Sequence, residues 1–79
     1  MSGRRVRLTF EGELVRRPVL ADLARSFDVK PNIRRASVEE DSGWLVCELE
    51  GELGAVDAAL AWLEGLGVVV TPLADAIEG

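Results

Sequence analysis

The fold is decided by the central stretch of the chain, residues 32–50, which has the sequence NIRRASVEEDSGWLVCELE. Its middle, Asp41-Ser42-Gly43, consists of small and polar residues that favour a hairpin turn. After this turn, alternate positions carry the apolar residues Leu45, Cys47 and Leu49, so one face of the segment is apolar. The stretch therefore predicts two antiparallel strands with one face directed to a core.

The first of these strands changes phase near its start. Ala36 and Val38 occupy one parity of positions, whereas Ile33 occupies the other. One extra residue in a paired strand, or a bent entry into the strand, produces such a change, so the sequence predicts a β-bulge or a bend near Arg34 and Arg35. Bulges often redirect side chains beside functional sites.

The segments on either side of the hairpin complete the pattern. An alternating strand and an amphipathic helix opened by Pro18 precede it, and a second amphipathic helix and a β-branched strand follow it. The predicted strands are residues 5–11, 32–40, 44–50 and 68–71, and the predicted helices are residues 18–27 and 56–63.

The order β-α-β-β-α-β is that of the ferredoxin-like plan, an α+β fold. Right-handed crossovers place both helices on one face of a four-stranded antiparallel sheet and leave the other face open. We expect the first and third strands side by side in the centre, in parallel orientation, with the second and fourth strands at the edges. The residues expected in the core are the apolar ones that face the helices: Val6, Leu8, Phe10, Leu20, Leu23, Phe27, Leu45, Cys47, Leu49, Val56, Leu60 and Leu63.

Length and composition limit the chain to one small acidic domain. Its 79 residues allow a single core, which we expect at residues 4–73, with a loose tail at residues 74–79. The net charge of −5 opposes binding to nucleic acid, whose phosphates need a basic surface. No apolar run approaches the ~18 residues of a membrane span, and the N-terminus has no apolar signal-peptide core. We therefore expect a cytoplasmic protein without membrane insertion.

The residue types that most catalytic and metal sites need are missing from the sequence. There is no histidine, and Cys47 is the only cysteine. Histidine triads, zinc sites, iron–sulfur clusters and an internal disulfide are therefore excluded. No glycine-rich loop for phosphate binding is present. We expect neither an enzyme nor a bound cofactor.

Asn32 is the first candidate for a ligand contact. It lies next to Pro31, where the pattern of a helix gives way to that of a strand. A side-chain amide held at such a junction presents both a donor and an acceptor to a ligand. The alternative is an asparagine that satisfies only the backbone of its own turn.

Two apolar features are candidates for a contact with another protein. Trp44 and Val46 fall on the open face of the predicted sheet, where a tryptophan contacts a partner, stacks with arginines or lies flat on its own sheet. Val68-Val69-Val70 is a β-branched edge strand without a protecting charge, and such an edge favours pairing with another chain. The sequence therefore predicts a homodimer through this edge or through the open face.

An ordered set of segments resembles the NIL domain family and extends over residues 5–72. The main ones are Val6-Arg7-Leu8-Thr9-Phe10, Pro18-Val19-Leu20, Asn32-Ile33, Glu48-Leu49-Glu50-Gly51 and Leu66-Gly67-Val68. The family is named for an Asn-Ile-Leu triplet at the start of its second strand, and Arg34 stands at the third position of that triplet here.

The resemblance implies a ferredoxin-like regulatory domain of the kind found at the C-terminus of methionine-importing ABC-transporter ATPases. In that family methionine binds at the contact between two such domains and inhibits transport. The resemblance also implies that Asn32 and Ile33 are ligand-site positions. Arg34 in place of leucine makes such a pocket more polar or offers a charge to a ligand carboxylate.

Three functions follow as hypotheses. The first is a ligand-sensing domain that binds methionine or a related amino acid at a dimer contact through Asn32, Ile33 and Arg34. The second is a protein-interaction or oligomerisation module without a ligand, and the third is an accessory subunit in sulfur metabolism. Because the sequence contains neither an ATPase domain nor the cysteines of a ferredoxin, the expected partner is a separate transporter or iron–sulfur protein.

Overall fold

The computed structural model describes residues 2–73, and the predicted tail at residues 74–79 lies outside the described residues. Within this range the helices and strands follow the predicted order, with one short additional helix after the first strand. The strands are β1 (Ser2–Glu11), β2 (Val29–Val38), β3 (Ser42–Gly51) and β4 (Val69–Pro72). The helices are α1 (Glu13–Arg16), α2 (Val19–Ser26) and α3 (Leu53–Leu66).

The four strands form one sheet in the order β2-β3-β1-β4, which confirms the predicted ferredoxin-like α+β fold. The expected parallel orientation of β1 and β3 is wrong, because Ser2 lies opposite Gly51 and Glu11 opposite Ser42 in an antiparallel register. The reason is topological. The crossover through α2 makes β1 and β2 parallel, and β3 is the hairpin partner of β2, so β3 runs opposite to both of its neighbours.

The register between β2 and β3 shifts once, which confirms the predicted bulge. Ile33 lies opposite Cys47 and Arg35 lies opposite Val46, so Arg34 is the extra residue. Side chains alternate between the two faces on each side of the bulge. As a result, Asn32 and Arg35 lie on the same face of the sheet.

The core lies between the helices and the face of the sheet that they cover. Among the predicted core residues, Leu20, Phe27, Leu45 and Leu60 are only partly buried and pack against its margin. Val19, Val29, Ala59 and Val68 are buried although they were not predicted to be. The buried residues are Val6, Leu8, Phe10, Val19, Leu23, Val29, Cys47, Leu49, Val56, Ala59, Leu63 and Val68.

Gly51 makes room for the start of the edge strand β2. It lies opposite Val29 in the register of β2 and β3. A Cβ atom at Gly51 would lie 2.7 Å from the carbonyl oxygen of Asp28, which is a severe overlap with backbone. Glycine therefore lets β2 approach closely, and Val29 reaches the core.

The short helix α1 was not predicted, because Gly12-Glu13 was interpreted as a simple break after β1. Gly12 has a φ of 63°, a conformation that glycine adopts without strain, and its N–H donates to the carbonyl oxygen of Asp41 at 2.9 Å. An ion pair of 3.4 Å between Arg16 Nη2 and Asp41 Oδ1 joins the same two segments. A four-residue helix is too short to show a helical period, so it cannot be recognised from the residue pattern.

Cys47 is fully buried on the core side of β3, so we expect its thiol to be unreactive. Burial, and to a smaller extent the charge of Glu48, raise its pKa from 9.0 to about 11. The folded state therefore holds this proton more tightly than the unfolded state, and the stability linked to it is lost as the pH rises from 9 towards 11. A thiol-reactive disulfide reagent at pH 8 should label the guanidinium-unfolded chain quickly and the native protein only at the rate of unfolding. Rapid labelling of native protein would contradict the assigned faces of β3.

Candidate functional site

The side of the sheet away from the helices forms the open sheet face. Its central residues come from β1 and β3, and β2 and β4 supply its margins. Within residues 2–73, no helix combines the length and the hydropathy that crossing a lipid bilayer requires. The residues of the open sheet face, assigned from the strand registers, are Arg5, Arg7, Thr9, Lys30, Asn32, Arg35, Ser37, Trp44, Val46, Glu48, Glu50, Val69 and Thr71.

Trp44 lies on the open sheet face near the hairpin end of β3, with an arginine on each side. The guanidinium carbon of Arg7 is 4.6 Å from the centre of a Trp44 ring, and that of Arg35 is 6.0 Å away. Val46 lies between these two arginines in the paired strands. Both distances are within the range of cation–π attraction, so the stacking of Trp44 with arginines, one of its predicted roles, is confirmed.

An ion pair lies on the same face as Trp44. Arg5 Nη2 donates to Glu48 Oε2 at 3.0 Å, and both side chains are only about a quarter exposed. Glu48 lies opposite Asn32 in the register of β2 and β3. A carboxylate, a carboxamide and several guanidinium groups thus share the open sheet face with the apolar surface of Trp44 and Val46.

The structure separates the three residues that were predicted to form the ligand site. Asn32 lies inside β2 rather than at the junction with α2, and it is exposed on the open sheet face. Ile33 lies on the helix-covered side, opposite Cys47, with 52% of its surface exposed. Arg34 is the extra residue of the bulge. Asn32 and Ile33 therefore point to opposite sides of the edge strand.

Arg35 takes the place next to Asn32 that the sequence interpretation gave to Arg34. The signal was present, since the phase change that predicted the bulge also decides which arginine shares a face with Asn32. The alternative prediction was that the Asn32 side chain satisfies only the backbone of its own turn. This alternative lacks support, because the side chain makes no hydrogen bond to another residue in the described part of the chain.

The predicted interface residues separate into two groups. Trp44, Val46 and Val69 lie on the open sheet face, and Val69 is 58% exposed. Val68 is buried in the core and precedes β4, so its side chain is not available to a partner, contrary to the prediction. Val70 lies opposite Leu8 on the helix-covered side and is partly buried against the core. A short β-branched run does not show its phase, which explains this error.

Comparison with known proteins identifies the family. The family model for the NIL domain matches residues 4–72, nearly the whole chain. The chain belongs to the NIL domain family. This NIL domain is 41% identical over 78 residues to the methionine import ATP-binding protein MetN of Myxococcus xanthus strain DK1622, covering 94% of the chain and 24% of that protein.

A further relative agrees with this identification, and a solved structure agrees with the fold. The methionine import ATP-binding protein MetN of Helicobacter pylori strain J99 is 33% identical over 73 residues, covering 87% of this chain and 22% of that protein. The NIL domain therefore spans less than a quarter of the length of these two relatives. The crystal structure of the C-terminal domain of an ABC transporter ATP-binding protein from Enterococcus faecalis has a TM-score of 0.80 and 23% identity, covering 94% of this chain and 87% of that one. This likeness supports the fold.

Proposed function

We propose that this NIL domain is a non-catalytic regulatory domain that binds methionine or a related amino acid on its open sheet face, at the contact between two copies. The observation that carries the proposal is the bulge at Arg34, which places Arg35 and Asn32 on one face beside Trp44 and Val46. The relatives are named as methionine import proteins, which makes methionine the first amino acid to test.

The chemistry of this face matches the parts of an amino acid. The guanidinium of Arg35 offers paired N–H donors to a carboxylate, and the Asn32 amide supplies a further donor and acceptor. Glu48 supplies negative charge for the ammonium group. Val46 and Trp44 provide apolar surface for a thioether side chain, which is attracted to aromatic rings.

A second copy of the chain would complete such a site. On a single copy Asn32 and Arg35 are exposed, and a small ligand needs a concave site that removes most of its surface from water. Stacking two open sheet faces would bury Trp44, Val46 and Val69 together with the ligand. We place this dimer in the cytoplasm, where it would act on a transporter.

Calorimetry with methionine tests the proposal directly. Titration of methionine into the domain should give a saturable heat with a dissociation constant between about 10 μM and 1 mM, as expected for a ligand of this size. Alanine is the control, because it keeps the carboxylate and ammonium groups and lacks the thioether chain. An absence of heat and of any thermal shift at millimolar methionine would contradict the proposal.

The exposed apolar residues favour a second candidate function, a dimerisation module without a ligand. Val69, in the edge strand β4, is 58% exposed. It is paired with Thr9, whose partner on the other side is Trp44. Sedimentation equilibrium separates the two functions. A sensor dimerises more tightly with methionine present, whereas a ligand-free module has the same dimer affinity with and without it.

A further inference from the structure

A cavity of about 250 Å³ lies on the helix-covered side of the sheet, away from the open sheet face. It is a half-open pocket bordered by the end of β1, by α1, by the first turn of α2 and by the two ends of the β2–β3 hairpin. Its lining residues are apolar except for Arg17, and the apolar ones include Phe10, Leu14, Leu20, Trp44 and Leu45.

Gly43 is among the residues that line the cavity. Gly43 lies between Phe10 and Val38 in the paired strands. A Cβ atom at Gly43 would come within 3.2 Å of the Ser37 carbonyl oxygen, so a larger residue is not accommodated there without a shift. The helix α1 contributes Leu14 and Val15 to the lining. The hydrogen bond from the N–H of Gly12 to the carbonyl of Asp41 connects the start of this helix to the β2–β3 hairpin.

This cavity is distinct from the proposed amino-acid site, although Trp44 belongs to the open sheet face and is also among the residues that line the cavity. Val38, at its margin, lies about 17 Å along the sheet from Asn32, because the two are five register positions apart at ~3.3 Å each. The two sites also lie on opposite faces of the sheet, since Asn32 faces away from the helices. A ligand in the cavity would therefore make no contact with Asn32 or Arg35.

We propose that the cavity binds a small carboxylate with an apolar tail. Arg17 is the charged residue among those that line it in the described part of the chain. Its Nε contacts Asp22 Oδ2 at 3.4 Å, and its guanidinium carbon is 6.0 Å from the centre of a Trp62 ring. Asp22 and Trp62 lie outside the lining, and the terminal amino groups of Arg17 are not used in the Asp22 contact. A carboxylate at this point would accept hydrogen bonds from Arg17 while its tail removes apolar surface from water.

The size of the cavity limits the ligand to about that of a short fatty acid or a branched oxo acid. Engineered cavities of about 150 Å³ hold benzene, and typical drug-sized ligands occupy sites of about 300 Å³ or more. Hexanoate lies between these two sizes. It is therefore the probe we would use, with hexanamide as the uncharged molecule of nearly the same shape.

Nuclear magnetic resonance of the ¹⁵N-labelled domain tests this site. Titration with hexanoate up to 20 mM should shift the backbone amides of residues 14–21 and 43–45, with little change at Asn32 and Arg35. Hexanamide should bind about tenfold more weakly, because it lacks the charge that Arg17 recognises. An absence of saturable shifts, or shifts centred on the open sheet face, would overturn the proposal.

Three variants identify the contacts. Arg17→Gln should weaken hexanoate about tenfold and leave hexanamide unchanged, whereas Arg25→Gln, in α2 and outside the cavity lining, should change neither. Ala21→Phe places a ring at an exposed lining position and should abolish binding of both molecules without unfolding the domain. Equal hexanoate affinity in wild-type protein and Arg17→Gln would contradict the carboxylate, and unchanged binding in Ala21→Phe would contradict the cavity. Neither result depends on whether methionine binds.

Discussion

Replacing Leu8 by alanine is expected to lower the free energy of unfolding by about 3 to 5 kcal/mol. Leu8 is fully buried in the central strand β1 and is paired with Leu45 on one side and Val70 on the other. Removing most of its side chain would leave a cavity between two strands that cannot close over it. A domain of this length has a total stability of about 4 to 12 kcal/mol, so this one change would remove much of it.

Leu53→Ala is the matched control for this prediction. Leu53 lies in the first turn of α3 and is 51% exposed, so the same chemical change should cost less than about 1 kcal/mol. Urea denaturation followed by circular dichroism gives both values. Equal losses of stability at the two leucines would mean that the faces of β1 are assigned incorrectly.

Asn32→Ala and Arg35→Gln are each expected to weaken methionine binding at least about tenfold. The first change removes the amide donor and acceptor, and the second removes the guanidinium that we assign to the ligand carboxylate. Both residues are exposed in the single chain, so neither change should lower the melting temperature substantially. Calorimetry measures the affinities, and thermal unfolding verifies that the variants are folded.

Arg34→Gln separates the proposed site from a general effect of charge. Arg34 is the neighbour of Arg35 in sequence and makes the same contribution to the net charge, but it occupies the bulge. Its replacement should change methionine affinity less than about twofold, because a screened surface charge contributes little. If Arg34→Gln and Arg35→Gln weaken binding equally, the orientation assigned to the two arginines is wrong.

Much of the fold could be predicted from the sequence because alternation and helical spacing are strong signals. The alternation of Leu45, Cys47 and Leu49 identified the core face of β3, and the phase change after Ile33 located the bulge. Strand direction follows from the connections, and the predicted order β-α-β-β-α-β already implied that β1 and β3 run antiparallel. The expected parallel orientation was therefore an error in applying the topology and not a missing signal.

Less of the candidate site could be predicted. The sequence indicated Asn32, and the family resemblance directed attention to the residues next to it. The bulge decides which of the next three residues, Ile33, Arg34 or Arg35, lies on the same face as Asn32. The contacts of Arg7 and Arg35 with Trp44 depend on the pairing of three strands. The cavity beside Arg17 depends on α1, a helix too short to be recognised from periodicity.

The most direct test of the account is a map of methionine binding by ¹⁵N nuclear magnetic resonance. We predict saturable shifts of the amides of Asn32, Arg35 and Val46 and of the indole N–H of Trp44, with residues 14–21 unaffected. These shifts should be lost in Arg35→Gln and kept in Arg34→Gln. Methionine-dependent shifts confined to α1 and α2, or a spectrum unchanged at millimolar methionine, would contradict the assignment of the open sheet face as the ligand site.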